Sequence, residues 1–232
     1  MFDLGYLIFV FAIPMAISAY ASMSVRGTFA RYERVATRRG LTGAQAAQIM
    51  LQRQGVYDFS IEPVPGRLSD HYDPRTRTLR LSEPVYNSTS LSAVGVACHE
   101  AGHALQHAQA YPWLTLRSNL VPVTGFASQL SMPIIIGGMI LGMASPLGRI
   151  AMLFGCALLA IAFIFSVVTL PVEWDASARA KTAMVDAGIL DRDEVQGAGA
   201  VLNAAFLTYL AAAISALITL LYYLIRSGLL RR

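Results

Sequence analysis

Charge, cysteine and histidine are all scarce in this chain. Of its 232 residues, 14% are charged and 55% are hydrophobic, with 2 cysteines and 4 histidines. The two cysteines, Cys98 and Cys156, lie far apart, so no disulfide framework is indicated. So little charge, with a positive mean hydropathy, does not fit an ordinary soluble domain. The net charge of +4 comes mainly from arginines between Arg26 and Arg80 and at the C-terminus. Scattered in that way they read as membrane-flanking positives, and nucleic acid is excluded as a partner. The segment Met1-Phe2-Asp3 carries no basic residue ahead of the first apolar run. That speaks against a cleaved signal peptide, despite the small-x-small Ala19-Tyr20-Ala21, and for a retained anchor. Neither an internal repeat nor a low-complexity tract is present.

The apolar residues are gathered in runs. Residues 4–23, 120–144, 150–170 and 204–225 form four uncharged stretches, and a bilayer core needs about 20 such residues per helix. The last run ends in Tyr222, Tyr223 and Arg226, the aromatic-then-basic flank of a membrane interface. Between the second and third, Ala144-Ser145-Pro146-Leu147-Gly148-Arg149 reads as a tight turn joining antiparallel helices. A mainly α, integral membrane protein with four transmembrane helices is therefore expected, the lipid bilayer being its first partner.

Residues 26–118 are the one polar block long enough for a domain. A helix is expected over 41–54, capped by Thr42 with Gln45 three residues on and stopped at Gly55. Strand character follows over 59–64. The stretches 68–74 and 77–82 read as a short hairpin turned at Asp73-Pro74. Ser90 then caps a long helix over 91–110. A second polar stretch, 171–203, separates the last two runs. Pro171 suits the first turn of a helix there, Glu173 and Asp175 its positive end, and Gly188 its stop.

The helix over 91–110 carries His99-Glu100-Ala101-Gly102-His103. Residues four apart share a helix face, so His99 and His103 can grip one Zn²⁺ at about 2.0–2.1 Å per bond. Glu100 sits one residue round, where a base takes a proton from an attacking water. Gly102 offers a bare surface for substrate or a neighbouring helix. Polar groups are costly on a helix otherwise made of Val94, Val96, Ala97, Ala101, Ala104 and Leu105. His107 follows at the same spacing, but it lies about 12 Å from His99 along the axis and cannot share the ion. A catalytic zinc takes about three protein ligands. Two membrane crossings after the motif helix return the chain to the motif's side at Pro171, where Glu173 is the first carboxylate. Glu173 is the preferred third ligand, with Asp175 behind it, and an exchange of these roles stays open. Without the motif, both would be ordinary first-turn acids.

Taken together, these segments resemble the YugP-like neutral zinc metallopeptidases of bacterial membranes. The resemblance covers nearly the whole chain. It rests on Leu68-Ser69-Asp70-His71-Tyr72-Asp73-Pro74, Leu79-Arg80-Leu81-Ser82, His99-Glu100-Ala101-Gly102-His103-Ala104-Leu105-Gln106, Leu170-Pro171-Val172-Glu173-Trp174-Asp175-Ala176-Ser177, and 202–209 leading into the last run. It implies a Zn²⁺-dependent peptidase acting on protein or peptide substrates. A more distant resemblance is to the HtpX-type membrane proteases, where the glutamate ligand stands four residues before an aspartate. Here Glu173 stands two before Asp175, a departure that concerns Asp175 more than Glu173.

The expected organisation is an N-terminal transmembrane helix (1–25), a small α+β zincin-like catalytic domain at the membrane surface (26–118), a transmembrane hairpin (119–170), the third-ligand segment (171–203), and a C-terminal transmembrane helix with a basic tail (204–232). The expected reaction is endopeptidase hydrolysis of membrane or membrane-proximal proteins, with Glu100 as catalytic base and His99, His103 and Glu173 as zinc ligands. The strand 77–82 is expected to take the peptide at its edge. His71 or Tyr72 is a candidate oxyanion donor, though a turn-stabilising role suits His71 better. A zinc-binding scaffold without proteolysis is the alternative, but structural zinc sites are normally closed by four ligands. A transporter would need charges within the runs. An intramembrane protease would carry the motif inside a span. Arg26, Arg31, Arg34, Arg38, Arg39 and Arg117 flank the runs on the active-site side, against Arg149, Arg226, Arg231 and Arg232 opposite. With no basic side chain in Met1-Phe2-Asp3 to hold the N-terminus inside, a cytoplasmic active site is expected. The sequence assigns no oligomeric state.

Overall fold

The computed structural model describes residues 3–228; Met1-Phe2, Arg231 and Arg232, which enter the orientation argument, lie outside them. In chain order the elements are α1 (Leu4–Tyr6), a π-helical stretch (Leu7–Ala12), α2 (Ile13–Tyr32), α3 (Gly43–Arg53), β1 (Ser60–Val64), β2 (His71–Asp73), β3 (Thr78–Ser82), α4 (Glu83–Tyr86), α5 (Leu91–Ala108), α6 (Pro112–Leu141), α7 (Pro146–Asp186) and α8 (Glu194–Arg226). Among the described residues four helices, Leu4–Tyr32, Pro112–Leu141, Pro146–Asp186 and Glu194–Arg226, are long and apolar enough to cross a membrane. Backbone contacts divide the chain into two compact units.

One unit comprises Met1–Ala21, Leu116–Leu170 and Thr208–Arg232. Its buried cluster is Tyr6, Ile135, Met152, Cys156, Leu220 and Tyr223. Glycine lets α6 and α7 meet closely: a Cβ at Gly155 would stand 2.5 Å from Ile135 Cγ1. The turn between these helices includes Gly142 in the left-handed region (φ +80°). Phe126, Ile140, Ile150 and Phe154 remain exposed on the outer faces of α6 and α7.

The other unit comprises Ser22–Thr115 and Pro171–Leu207. Thr42 caps α3 with a reciprocal bond from Gln45, the capping box read from the sequence. Met50 and Leu51 on α3, Leu79 and Leu81 on β3, and Val94, Ala97 and Leu105 on α5 share one buried core with Ala180 and Met184 of α7. The three-stranded sheet has the order β1-β3-β2, with β1 parallel and β2 antiparallel to β3. The hairpin read over 68–82 is the β2–β3 pair. The expected edge strand is therefore corrected: β3 is central, its backbone is paired on both sides, and its alternate residues Leu79 and Leu81 are buried. Local alternation marks a half-buried strand, but which strands flank it is decided by distant segments.

Pro171 is a second correction. It does not open a helix but stands inside α7. Its fixed φ is helical, so a helix already running can pass through it at the cost of one backbone hydrogen bond. The run 150–170 and the acidic stretch after it are thus one continuous helix, ended as expected near Gly188 (φ +63°).

Two substitutions should rank in order. Met50→Ala empties a site with no solvent exposure and should cost about 2–5 kcal/mol. Thr42→Ala removes only the cap and should cost about 1 kcal/mol. Thermal melting of the detergent-solubilised protein reads the order directly, with the larger fall for Met50→Ala.

Candidate metal centre

The centre is built where α7 comes against α5. Ser90 starts α5 by accepting from the Ala93 amide at 3.2 Å. Small residues then line the helix: Ala93, Ala97, Ala101 and Ala104 are all buried. At Gly102 the neighbour is a backbone. A Cβ there would stand 2.5 Å from the Ala176 carbonyl oxygen, a distance no side chain tolerates. The bare surface foreseen at Gly102 thus receives a helix, and one turn before Ala176 that helix carries Glu173.

Glu173 is 2% exposed. Its Oε2 lies 3.2 Å from His99 Nε2 and 3.5 Å from His103 Nε2. The imidazole centroids are 4.8 Å apart with an interplanar angle of 80°. One ligand atom from each residue falls within 4.8 Å of the others. In tetrahedral zinc with bonds of about 2.05 Å, neighbouring ligand atoms stand about 3.3 Å apart (twice the bond length times the sine of half the tetrahedral angle). The two nitrogen–oxygen separations bracket that value, and a set of two imidazoles and one carboxylate suits Zn²⁺. The residues fit the ion.

The electrostatics of the trio are coupled. Burial alone would raise the Glu173 carboxyl, but hydrogen bonds from His103 and His99 outweigh it and hold the group well below the usual carboxylate range. Burial pulls His103 down, but Glu173, with the charge of Glu100 and the hydrogen bond to Gln106, reverses this, so His103 ends above its ordinary value. Each ring is also held at its far nitrogen. His99 Nδ1 lies 3.1 Å from Ser177 Oγ, and His103 Nδ1 lies 3.0 Å from Gln106 Oε1. Such outer contacts orient metal-ligating histidines.

The other expected residues take definite places. Glu100 is buried on α5 beside His99 and lies outside the converging trio. The Asp70 carboxyl is raised, by burial first and also by the charge of Glu100, which puts the entry to β2 near that end of the motif. Asp70 accepts from the Ser82 amide at 2.7 Å. Asp175 accepts from Gln106 at 2.8 Å and pairs with Arg179. His107 bonds the Tyr72 hydroxyl at 2.8 Å and is not part of the trio. His71 Nδ1 lies 2.8 Å from its neighbour Ser69's carbonyl oxygen, a contact that steadies the strand entry. Cys98 faces the apolar core, where burial pushes its thiol up. Gln106 and Ser177 were not singled out from the sequence. The signal was spacing: Gln106 is three residues past His103, the ring it holds, and Ser177 is four past Glu173, on the same face of α7.

Gly102→Ala tests the close approach of the two helices. A backbone oxygen cannot swing aside as a side chain can, so the added methyl should destabilise by about 1–3 kcal/mol. Gly125→Ala, with nothing within 4 Å of the added carbon, is the control. Melting curves should fall for the first variant and hold or rise for the second.

Comparison with known proteins points the same way. A family model described as "Putative neutral zinc metallopeptidase" matches residues 6–228. A relative from Bacillus subtilis (strain 168), "Putative membrane protease YugP", is 44% identical over 216 residues, 93% of this chain and 94% of the relative. No solved structure matches the chain. With nearly its whole length matched in both comparisons, the chain belongs to the YugP-like neutral zinc metallopeptidases.

Proposed function

We propose that the protein is a membrane-bound zinc endopeptidase whose centre is His99, His103 and Glu173, with Glu100 as general base. The observation that carries this is the convergence of two imidazole nitrogens on one buried carboxylate oxygen, next in sequence to a buried glutamate that does not join them. When bound, Zn²⁺ supplies Lewis acidity that lowers the pKa of a water toward about 7 and polarises a carbonyl. His99 and His103 present neutral Nε2 atoms to it, and Glu173 brings the balancing charge. Glu100 takes the proton of the attacking water and returns it to the leaving amine. The peptide docks as an added strand along β2. Its partner β3 has no free edge, and the rival edge β1 carries Pro63, which cannot donate. On β2, Tyr72 already ties the strand to α5 through His107.

The four long apolar helices with their exposed large side chains suit a bilayer. In this reading they cross it four times, the active site faces the cytoplasm, and substrates are membrane proteins or membrane-proximal peptides. A thiol introduced by Gln48→Cys, on the exposed face of α3, should react with an impermeant maleimide in inverted vesicles and stay unlabelled in intact cells. Labelling in intact cells would reverse the orientation.

Zinc content and turnover test the centre together. Elemental analysis should find about one zinc per wild-type chain and far less in Glu173→Ala. Glu100→Gln should keep its zinc while proteolysis falls by about 10²–10⁴-fold. Full proteolysis in zinc-loaded Glu100→Gln would refute the base assignment, and equal zinc in Glu173→Ala would refute the third ligand.

A further inference from the structure

Gln106 is a buried polar side chain that takes no part in the proposed proton transfers. Its side chain has no solvent exposure, and a buried amide needs partners. Its Nε2 donates to the Val172 carbonyl and to Asp175 Oδ2, each at 2.8 Å. An amide nitrogen has two protons, so both are placed. Oε1 is then the atom that faces His103 Nδ1 at 3.0 Å. The two ends of an amide are often interchangeable. Here a flip would set Oε1 against a carbonyl and a carboxylate, so the two acceptors decide the orientation. His103 must therefore carry a proton on Nδ1, so Nε2 is the nitrogen left to bind the ion.

His99 is held differently. Its Nδ1 partner is a hydroxyl, which donates or accepts and selects neither tautomer. Gln106 also reaches across to the chain on both sides of Glu173: Val172 precedes it and Asp175 follows it by two. Asp175 is itself anchored by Arg179, whose guanidinium continues to Gln109, the residue that caps the end of α5. One amide thus sets the tautomer of one ligand and ties down the backbone that presents another.

We propose that Gln106 is the positioning residue of the metal centre, and that the relay Arg179–Asp175–Gln106–His103 sets its affinity for zinc. This rests on the reading of His99, His103 and Glu173 as ligands. Gln106→Met keeps the length of the side chain and deletes every one of these bonds. Asp175→Ala removes one of the two acceptors that prevent the flip, at a position less buried than Gln106 and so less demanding for folding.

The test uses the full-length protein in detergent. Zinc dissociation constants are measured by chelator competition for wild type, Gln106→Met, Asp175→Ala and His103→Ala, with ¹⁵N-histidine spectra of the zinc-loaded forms. With 4 histidines in the chain, the ring signals are assignable by single substitutions. Gln106→Met should bind zinc about 10–100-fold more weakly, and Asp175→Ala should weaken in the same direction. The wild-type spectrum should show a His103 Nδ1–H protected from exchange, and Gln106→Met should lose that protection. A residue that merely fills the core would lower the melting temperature and leave zinc affinity and the Nδ1–H signal of the folded protein unchanged, which would overturn the proposal. If Gln106→Met does not fold, wild-type affinity in Asp175→Ala overturns it instead. Absence of zinc from wild type, or equal binding by His103→Ala, would count against the ligand set itself and not against the relay alone.

Discussion

Glu173 is a carboxylate with almost no contact with water, and the arrangement of the polar unit follows from that. Stripping an ionised carboxylate of solvent costs several kcal/mol unless charge and hydrogen bonds replace the lost water. Two imidazoles supply them at 3.2 and 3.5 Å. They reach the carboxylate because α7 lies against α5 where α5 has no side chain, at Gly102. The same contact that brings the acid to the histidines shields all three from water. Acid, histidines and glycine therefore form one constraint and not three separate features.

Around this contact the polar side chains repeat one scheme. Each ring directs its Nε2 at Glu173 and gives its Nδ1 to an outer partner, Ser177 for His99 and Gln106 for His103. Those partners come from both helices: Ser177 from α7 and Gln106 from α5. Ser177 thus holds a ring of the other helix, while Gln106 holds a ring of its own helix and reaches α7 through Val172 and Asp175. Asp175, two residues after Glu173, serves this arrangement through Gln106 and Arg179. This gives a physical role to the close spacing of the two acids, which differs from that of the HtpX-type proteases. The apolar side of α5 meanwhile packs on α3 and β3, so the helix is fixed on the face away from His99 and His103 and free to present its polar face to α7.

Much of this was legible along the chain because the signals are local. Helix α3 has its cap and capping box written in Thr42 and Gln45, α5 has its cap in Ser90, and the four apolar runs exceed what any core helix needs. Two histidines four apart define a shared face whatever surrounds them. The shared face of His99 and His103 was readable for that reason, and Glu173, which converges on them, was reached from the order of the runs. Pro171 misled because a proline at a helix start and a proline in a helix that passes through it look alike over a few residues. The strand 77–82 misled because alternation records burial on one face and says nothing about who pairs at either edge.

The sequence by itself determined the elements, the apolar runs and the residue types able to hold zinc, since propensity, capping and periodicity act over a few residues. Only the tertiary structure decided which backbone approaches Gly102, that β3 is the central strand with β2 beside α5, and that Gln106 and Ser177 hold the two rings. They depend on how whole segments pack together, as the pairings of Tyr72 with His107, 35 residues apart, and of His99 with Ser177, 78 apart, illustrate. No local rule specifies which of several distant partners will satisfy a buried polar group; the packing of the whole unit does.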